Sequence, residues 1–361
     1  MEVGFLVLAL ACAAPAGAGH VLVDLAGEEI LEALDPDAAI ESGKAADLLL
    51  AEVVRERLAH RAVTPASPVP LLVVAGDRGP RVEGRGSLEL GELLQLWLLT
   101  GSRSAARSLA AAVGPGPDGA VARMRHAARR LAVARTTLPD EWPPAQAGTG
   151  EPRGRRTVTT TGDLARLGMA LAGDEDLRRR LALDGVPIAD GSLIVRASAP
   201  LIAVGPDVLR SHPVGSSAAE GDDRAALTLG ERDGLALLAV ATGPHASAEA
   251  HRVLARGFAR YERVSLVRAG QPVGREITVR GGILPRFTAV AAETLTVTAT
   301  RGAPAPFAIR LQLPAAVEAP VEVDQAVGEL VIERDRRLFA VVPLVAPVSI
   351  APSRWLDTAQ Q

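Results

Sequence analysis

The hydrophobic period changes once along this chain, and that change constrains its architecture more than any motif does. Up to about residue 262, stretches with apolar side chains at helical spacing are mixed with short strand-like runs. Beyond Arg263 only strand-like runs remain: VSLVR, REITVR, TLTVTAT, FAIRLQL, GELVIE and LFAVVPL. Gly, Pro or Asp-Arg turns separate them at intervals of about 8–12 residues, the rhythm of a small β-sandwich. The order predicts a mixed α+β unit over 20–262, an all-β module over 263–352 and a short tail over 353–361.

Within the first unit, HVLVDL (20–25) and ILEAL (30–34) read as two strands, and Asp233-Gly234 marks a hairpin inside AALTLGERDGLALLAVATG. Helical spacing recurs over 44–61, 88–99, 105–113, 120–133 and 247–262, and a further helix starts at Thr161 or Gly162. Two prolines and three glycines make 114–119 a loop, and 143–156 is a Pro/Gly/Arg-rich loop.

Composition narrows the function. With 42 acidic and 39 basic residues the net charge is −3, which argues against a nucleic-acid binder. Hydrophobic residues at 48% exclude a disordered chain. Cys12 is the one cysteine, so neither an intrachain disulfide nor a cysteine zinc cluster is expected. Val3–Ala18 is apolar and uncharged, too short for a spanning helix, and ends in Ala16-Gly17-Ala18 before Gly19. It fits a secretory signal over 1–19 despite an n-region without Lys or Arg; a buried first strand is the alternative. Gly114-x-Gly116-x-x-Gly119 follows no strand, so a plain loop is the better reading. The Arg178-Arg179-Arg180 run fits a solvated face, and His245 and His251 are poorly spaced for joint metal ligation.

One stretch carries more information than the rest: GFARYERVSLVRAGQPVGREITVRGG (257–282). With AVAAETLTVTATRGA, VEAPVEVDQAVGELVI and VVPLVA after it, and HVLVDLAGEEILEALDPDAAI in front, it resembles the D-alanyl-D-alanine carboxypeptidases, the low-molecular-mass penicillin-binding proteins. The resemblance runs from about His20 to Leu356. It implies a penicillin-binding-protein/β-lactamase-like serine transpeptidase domain followed by a C-terminal β-sandwich, on the outer side of a bacterial membrane. It further implies a peptidoglycan stem peptide or an envelope protein as partner, no cofactor and no metal. Relatives often end in an amphipathic anchoring helix; residues 353–361 bury too little area for one, so no stable membrane anchor is expected after signal removal.

The family's acyl transfer uses Ser-x-x-Lys, Ser-x-Asn and Lys-Thr-Gly elements. In register with the first, Lys44 falls on the lysine and Glu41 on the nucleophile. If the segment were helical, Ser42 would point away from Lys44, and Glu41 and Lys44 would form an i,i+3 ion pair. Ser42 stays a weak alternative nucleophile through a non-helical start. In the second element the serine becomes Gly101 and the asparagine Arg103; a one-residue shift brings up Ser102, and Ser104 suits a helix cap. In the third, Ser211-His212-Pro213 offers His212 as a weak carboxylate binder. Of all 39 Lys and Arg residues only Lys44 is lysine, so no lysine is left for that element. The resulting expectation is a degenerate member without catalysis, with a divergent active carboxypeptidase and a structural envelope adaptor as alternatives.

Overall fold

In the computed structural model, described over residues 18–353 apart from 75–76, 78–85, 115–116, 141, 143–156, 184, 199–201, 206–223 and 304–305, the chain divides into a unit ending at Phe258 and one beginning at Ala259. The first holds β1 (Gly19–Asp24), β2 (Glu29–Leu34), β3 (Ala39–Glu41), α1 (Lys44–Ala59), β4 (Pro68–Pro70), β5 (Ser87–Glu89), α2 (Leu90–Thr100), α3 (Arg103–Val113) and α4 (Pro117–Arg130). Next come β6 (Val158–Thr160), α5 (Thr161–Ala172), α6 (Glu175–Leu181), β7 (Gly185–Ile188), β8 (Leu193–Arg196), β9 (Ala203–Gly205), β10 (Ala225–Arg232), β11 (Leu235–Thr242) and α7 (Ala246–Arg260).

The main sheet runs β2-β1-β11-β10-β9, antiparallel except where β9 lies parallel to β10. The β10–β11 turn closes on Asp233 and Gly234, both at positive φ as the sequence predicts. Helices cover both faces of this sheet. Gly257 of α7 rests on Leu22 and Leu237, while Gly168 of α5 rests on Leu238 and Leu227. That double cover is why β11, LALLAVAT, is apolar almost throughout instead of alternating. Behind α5 lies α1, flanked by α3 and α4, and α2 packs on α3 and α6.

Helix α1 is buried along most of its length, from Ala45 and Ala46 through Leu48–Val54. One of these positions is a carboxylate. Glu52 has no exposed surface; Arg55 donates to it at 2.7 and 2.9 Å, and Arg130 of α4 at 2.8 Å. Burial pushes its carboxyl up, but hydrogen bonds from Arg55 and Arg130 outweigh this and hold it below the usual glutamate value.

The second unit holds β12 (Tyr261–Val267), β13 (Pro272–Arg280), β14 (Arg286–Ala291), β15 (Leu295–Thr300), β16 (Phe307–Gln312), β17 (Ala316–Glu318), β18 (Ala326–Arg334) and β19 (Arg337–Val345). They form a six-stranded sheet, β16-β18-β19-β14-β13-β17, and a β12–β15 pair around a core that includes Ile277, Phe287, Ile332 and Leu344.

Several sequence expectations shift. The boundary near Arg263 lies inside β12, because Tyr261 and Glu262 pair with Thr300 and Ala299 instead of extending the helix before them. Helix α4 begins at Pro117, inside the expected loop; proline is tolerated in a first helical turn, where its missing N–H has no partner to lose. Strand β14 is additional to the six runs in the sequence reading; its buried residues, Phe287, Ala289 and Ala291, alternate but include two alanines, a faint signal.

Glu52→Ala is expected to cost about 2 kcal/mol or more in urea unfolding, since a buried site loses a charge that two guanidiniums share. The pH sign follows from the lowered carboxyl. Its contribution is complete above the ordinary glutamate range and fades as acid protonates the folded state, so wild type and Glu52→Gln should converge in stability below about pH 4.

Candidate functional site

The head of α1 is built by a strand pairing distant in sequence. Ala39, Ile40 and Glu41 pair with Thr160, Thr159 and Val158 of β6, so Glu41 ends a strand and does not stand on the helix. Ser42 continues the contact by donating its N–H to the Thr157 carbonyl at 3.0 Å. Gly43 is the N-cap and Lys44 the first helical residue. The helical i,i+3 geometry expected for Glu41 and Lys44 is therefore absent, and so is the helical phase that would turn Ser42 away.

Ser42 is buried, and its Oγ accepts the backbone N–H of Lys44 at 3.2 Å, a side-chain turn that satisfies a donor at the helix start. Among the described residues the Lys44 ammonium makes no hydrogen bond or ion pair. The hydroxyl–amine contact that activates a serine is thus not formed here. One turn on, half-buried Asp47 has its carboxyl pushed up to about 7 by burial, with the Lys44 charge pulling the other way. The ring of Trp142 lies against Gly43, with its indole Nε1 buried and without a hydrogen-bond partner among the described residues.

The second element forms the joint between α2 and α3. Gly101, at the motif's serine position, closes α2 with φ of 65° and donates its N–H to the Trp97 carbonyl at 2.8 Å. A left-handed C-terminal residue is glycine's natural place, and any side chain there is strained. Ser102 is the N-cap of α3: its Oγ accepts the Ala105 N–H at 3.2 Å and donates to Asp77 at 2.8 Å. The cap is thus Ser102 and not Ser104, whose hydroxyl instead accepts the Val74 N–H at 2.9 Å. Arg103 is exposed, and its backbone N–H meets Asp77 at 3.0 Å.

Sequence reasoning missed Asp77. Burial tends to raise its carboxyl, but hydrogen bonds from Ser104, Ser102 and Arg103 hold it below the usual range. Its partners lie 25–27 residues away, so no local spacing reveals it. His212 and the rest of the third element fall outside the described residues, as does most of the expected signal. Among the described residues no helix is long and apolar enough to cross a membrane.

With the geometry established, the comparisons can be read. Residues 261–351 match the family model for the penicillin-binding protein 5 C-terminal domain. The structure superposes on a peptidoglycan synthesis regulatory factor from Streptococcus pneumoniae with a TM-score of 0.66 at 16% identity, covering 93% of this chain and 99% of that one. Penicillin-binding protein 5 from Haemophilus influenzae gives 0.57 at 15%, covering 93% and 98%. A D-alanyl-D-alanine carboxypeptidase from Francisella tularensis gives 0.57 at 14%, covering 98% of each chain. No curated protein matches by sequence. The fold is that of the penicillin-binding protein 5 type, a mixed α+β unit followed by that type's β-rich C-terminal domain.

Two outcomes follow from the site. The folded state holds the Asp47 proton more tightly than the unfolded chain does, so ionisation costs stability as pH rises from about 4 to 7. Asp47→Asn should therefore be more stable than wild type at pH 8, by about 1 kcal/mol or more, with the gap closing near pH 4 in pH-resolved denaturation. Gly101→Ser, which puts back the motif's serine, should lower stability by about 1 kcal/mol and gain no reactivity towards penicillin.

Proposed function

We propose that this protein is an exported pseudoenzyme of cell-wall metabolism, which holds a peptidoglycan stem peptide or an envelope protein without cleaving it. The observation that carries this reading is the Lys44 ammonium, at the position of the family's base, which makes no hydrogen bond to a hydroxyl among the described residues. Glu41 stands at the nucleophile position, and a carboxylate there offers no route to the serine acyl-enzyme. Gly101 and Ser102 support the reading, since both serve the α2–α3 joint. Export rests on the sequence, through the uncharged apolar stretch Val3–Ala18.

A divergent carboxypeptidase is the second reading. It is favoured by one contact: Ser42 Oγ already touches Lys44, though at its backbone N–H. A side-chain swing of Lys44 would bring amine and hydroxyl together, and Ser42 would then release the terminal D-alanine through an acyl-enzyme.

Incubation of the full chain with a fluorescent penicillin, read by gel and intact mass, separates the two. No covalent adduct is expected. An adduct that disappears in Ser42→Ala would overturn the pseudoenzyme and establish the second reading. In a companion measurement, a stem pentapeptide ending in D-Ala-D-Ala should bind by calorimetry with no D-alanine released.

A further inference from the structure

At the other end of α1 a cavity of about 450 Å³ opens between this helix and α4. The two helices run antiparallel, as the Glu52–Arg130 pair and the facing of His60 by Gly119 and Arg123 require. Val53 and Ala122 contribute apolar wall, while Arg57 and His60 enter from α1 and Arg123 and His126 from α4. Arg57 stands 13 residues after Lys44, so the cavity is about 20 Å along the helix from the site described above.

The charge at this cavity is unbalanced. None of the side chains of Arg57, His60, Arg123 and His126 makes a hydrogen bond or an ion pair among the described residues. On the same two helices Arg55, Arg125 and Arg130 are each held by a carboxylate, whereas the exposed Arg129, like Arg57 and Arg123, is not. The acid in the lining, Glu56, already takes Arg130 at 3.2 Å. The Nε of Arg57 is buried without a partner, a donor whose hydrogen bond to water is gone and has not been replaced.

We propose that this groove binds a phosphoryl group. Two guanidinium forks and two imidazole N–H groups converge on one space, and a tetrahedral oxyanion offers acceptors in several directions at once. Re-aiming the Arg57 fork at such an oxygen also gives its stranded N–H a partner. The apolar wall suits a ligand whose phosphate carries a hydrocarbon or glycerol stem, so either a lipid headgroup or a soluble phosphorylated compound fits this chemistry. The proposal is independent of whether Lys44 and Ser42 catalyse, and its failure leaves the penicillin result untouched.

The test uses inorganic phosphate on the full chain, with chloride at matched ionic strength as reference, read by thermal shift and calorimetry. Phosphate is expected to raise the melting temperature with a saturating dependence. Arg57→Gln with Arg123→Gln should weaken binding about tenfold or more. Arg125→Gln, which removes an exposed guanidinium outside the lining, should bind as wild type does. Because Arg57 is half-buried, the rim pair His60→Ala with His126→Ala serves as a second, milder variant and should also weaken binding. Vesicles of phosphatidylglycerol and of phosphatidylcholine separate the sources. Arginine-dependent sedimentation with the anionic vesicles alone assigns a lipid headgroup, and phosphate binding without sedimentation assigns a soluble ligand. No phosphate-specific shift in the wild type, or an equal shift in the double arginine variant, overturns the proposal.

Discussion

A carboxylate buried to zero exposure in the central helix is the constraint on which much of the first unit rests. Without partners, Glu52 would cost several kcal/mol and unfold the helix bundle around it. Its partners come from two directions: Arg55 on its own helix and Arg130 at the far end of α4. Arg55 also reaches towards Asp174, the N-cap of α6, at 3.7 Å. The charge therefore fixes which turn of α4 lies beside which turn of α1, a register that apolar packing alone specifies weakly. That register brings Arg123 and His126 to the space that Arg57 and His60 enter.

Each position that the sequence sets in register with a family motif has a local structural role. Gly101 occupies a left-handed helix end, where serine would be strained. Ser102 spends its hydroxyl on Ala105 and Asp77, joining the α3 start to a residue far upstream in the chain. Ser42 spends its acceptor on the first N–H of α1. A catalytic serine must leave its hydroxyl to a base and a substrate. Here the Ser42 and Ser102 hydroxyls serve a turn and a helix cap.

Legibility in the sequence followed the range of the interaction that decides each element. The Asp233-Gly234 hairpin and the helix starting at Thr161 are set by residues within a few positions, and both were readable. The segment 39–41 reads differently because its conformation is decided by β6, more than a hundred residues later, which draws Glu41 into a strand. The same applies to Asp77, whose role exists only once α3 is docked. Choosing Ser104 as the cap erred by two residues, since both serines satisfy the local preference and the Gly101 turn decides between them. The repeated short strands gave the second unit's class, but not the place of β14 between β19 and β13.

The two ends of α1 place opposite demands on a cation. A cation at a helix N-terminus opposes the macrodipole, so dipole energetics argue against any basic residue at Lys44. Asp47 lies one turn on, where the Lys44 charge draws its carboxyl down against the larger rise that burial imposes. At the C-terminal end the dipole favours cations, which accounts for Arg57 and His60 by a few tenths of a kcal/mol each. It accounts for neither Arg123 nor His126, which enter the same cavity from within α4, away from its C-terminal end. Four unpaired donors from two helices exceed what helix ends require, and a bound oxyanion is the partner that geometry would balance.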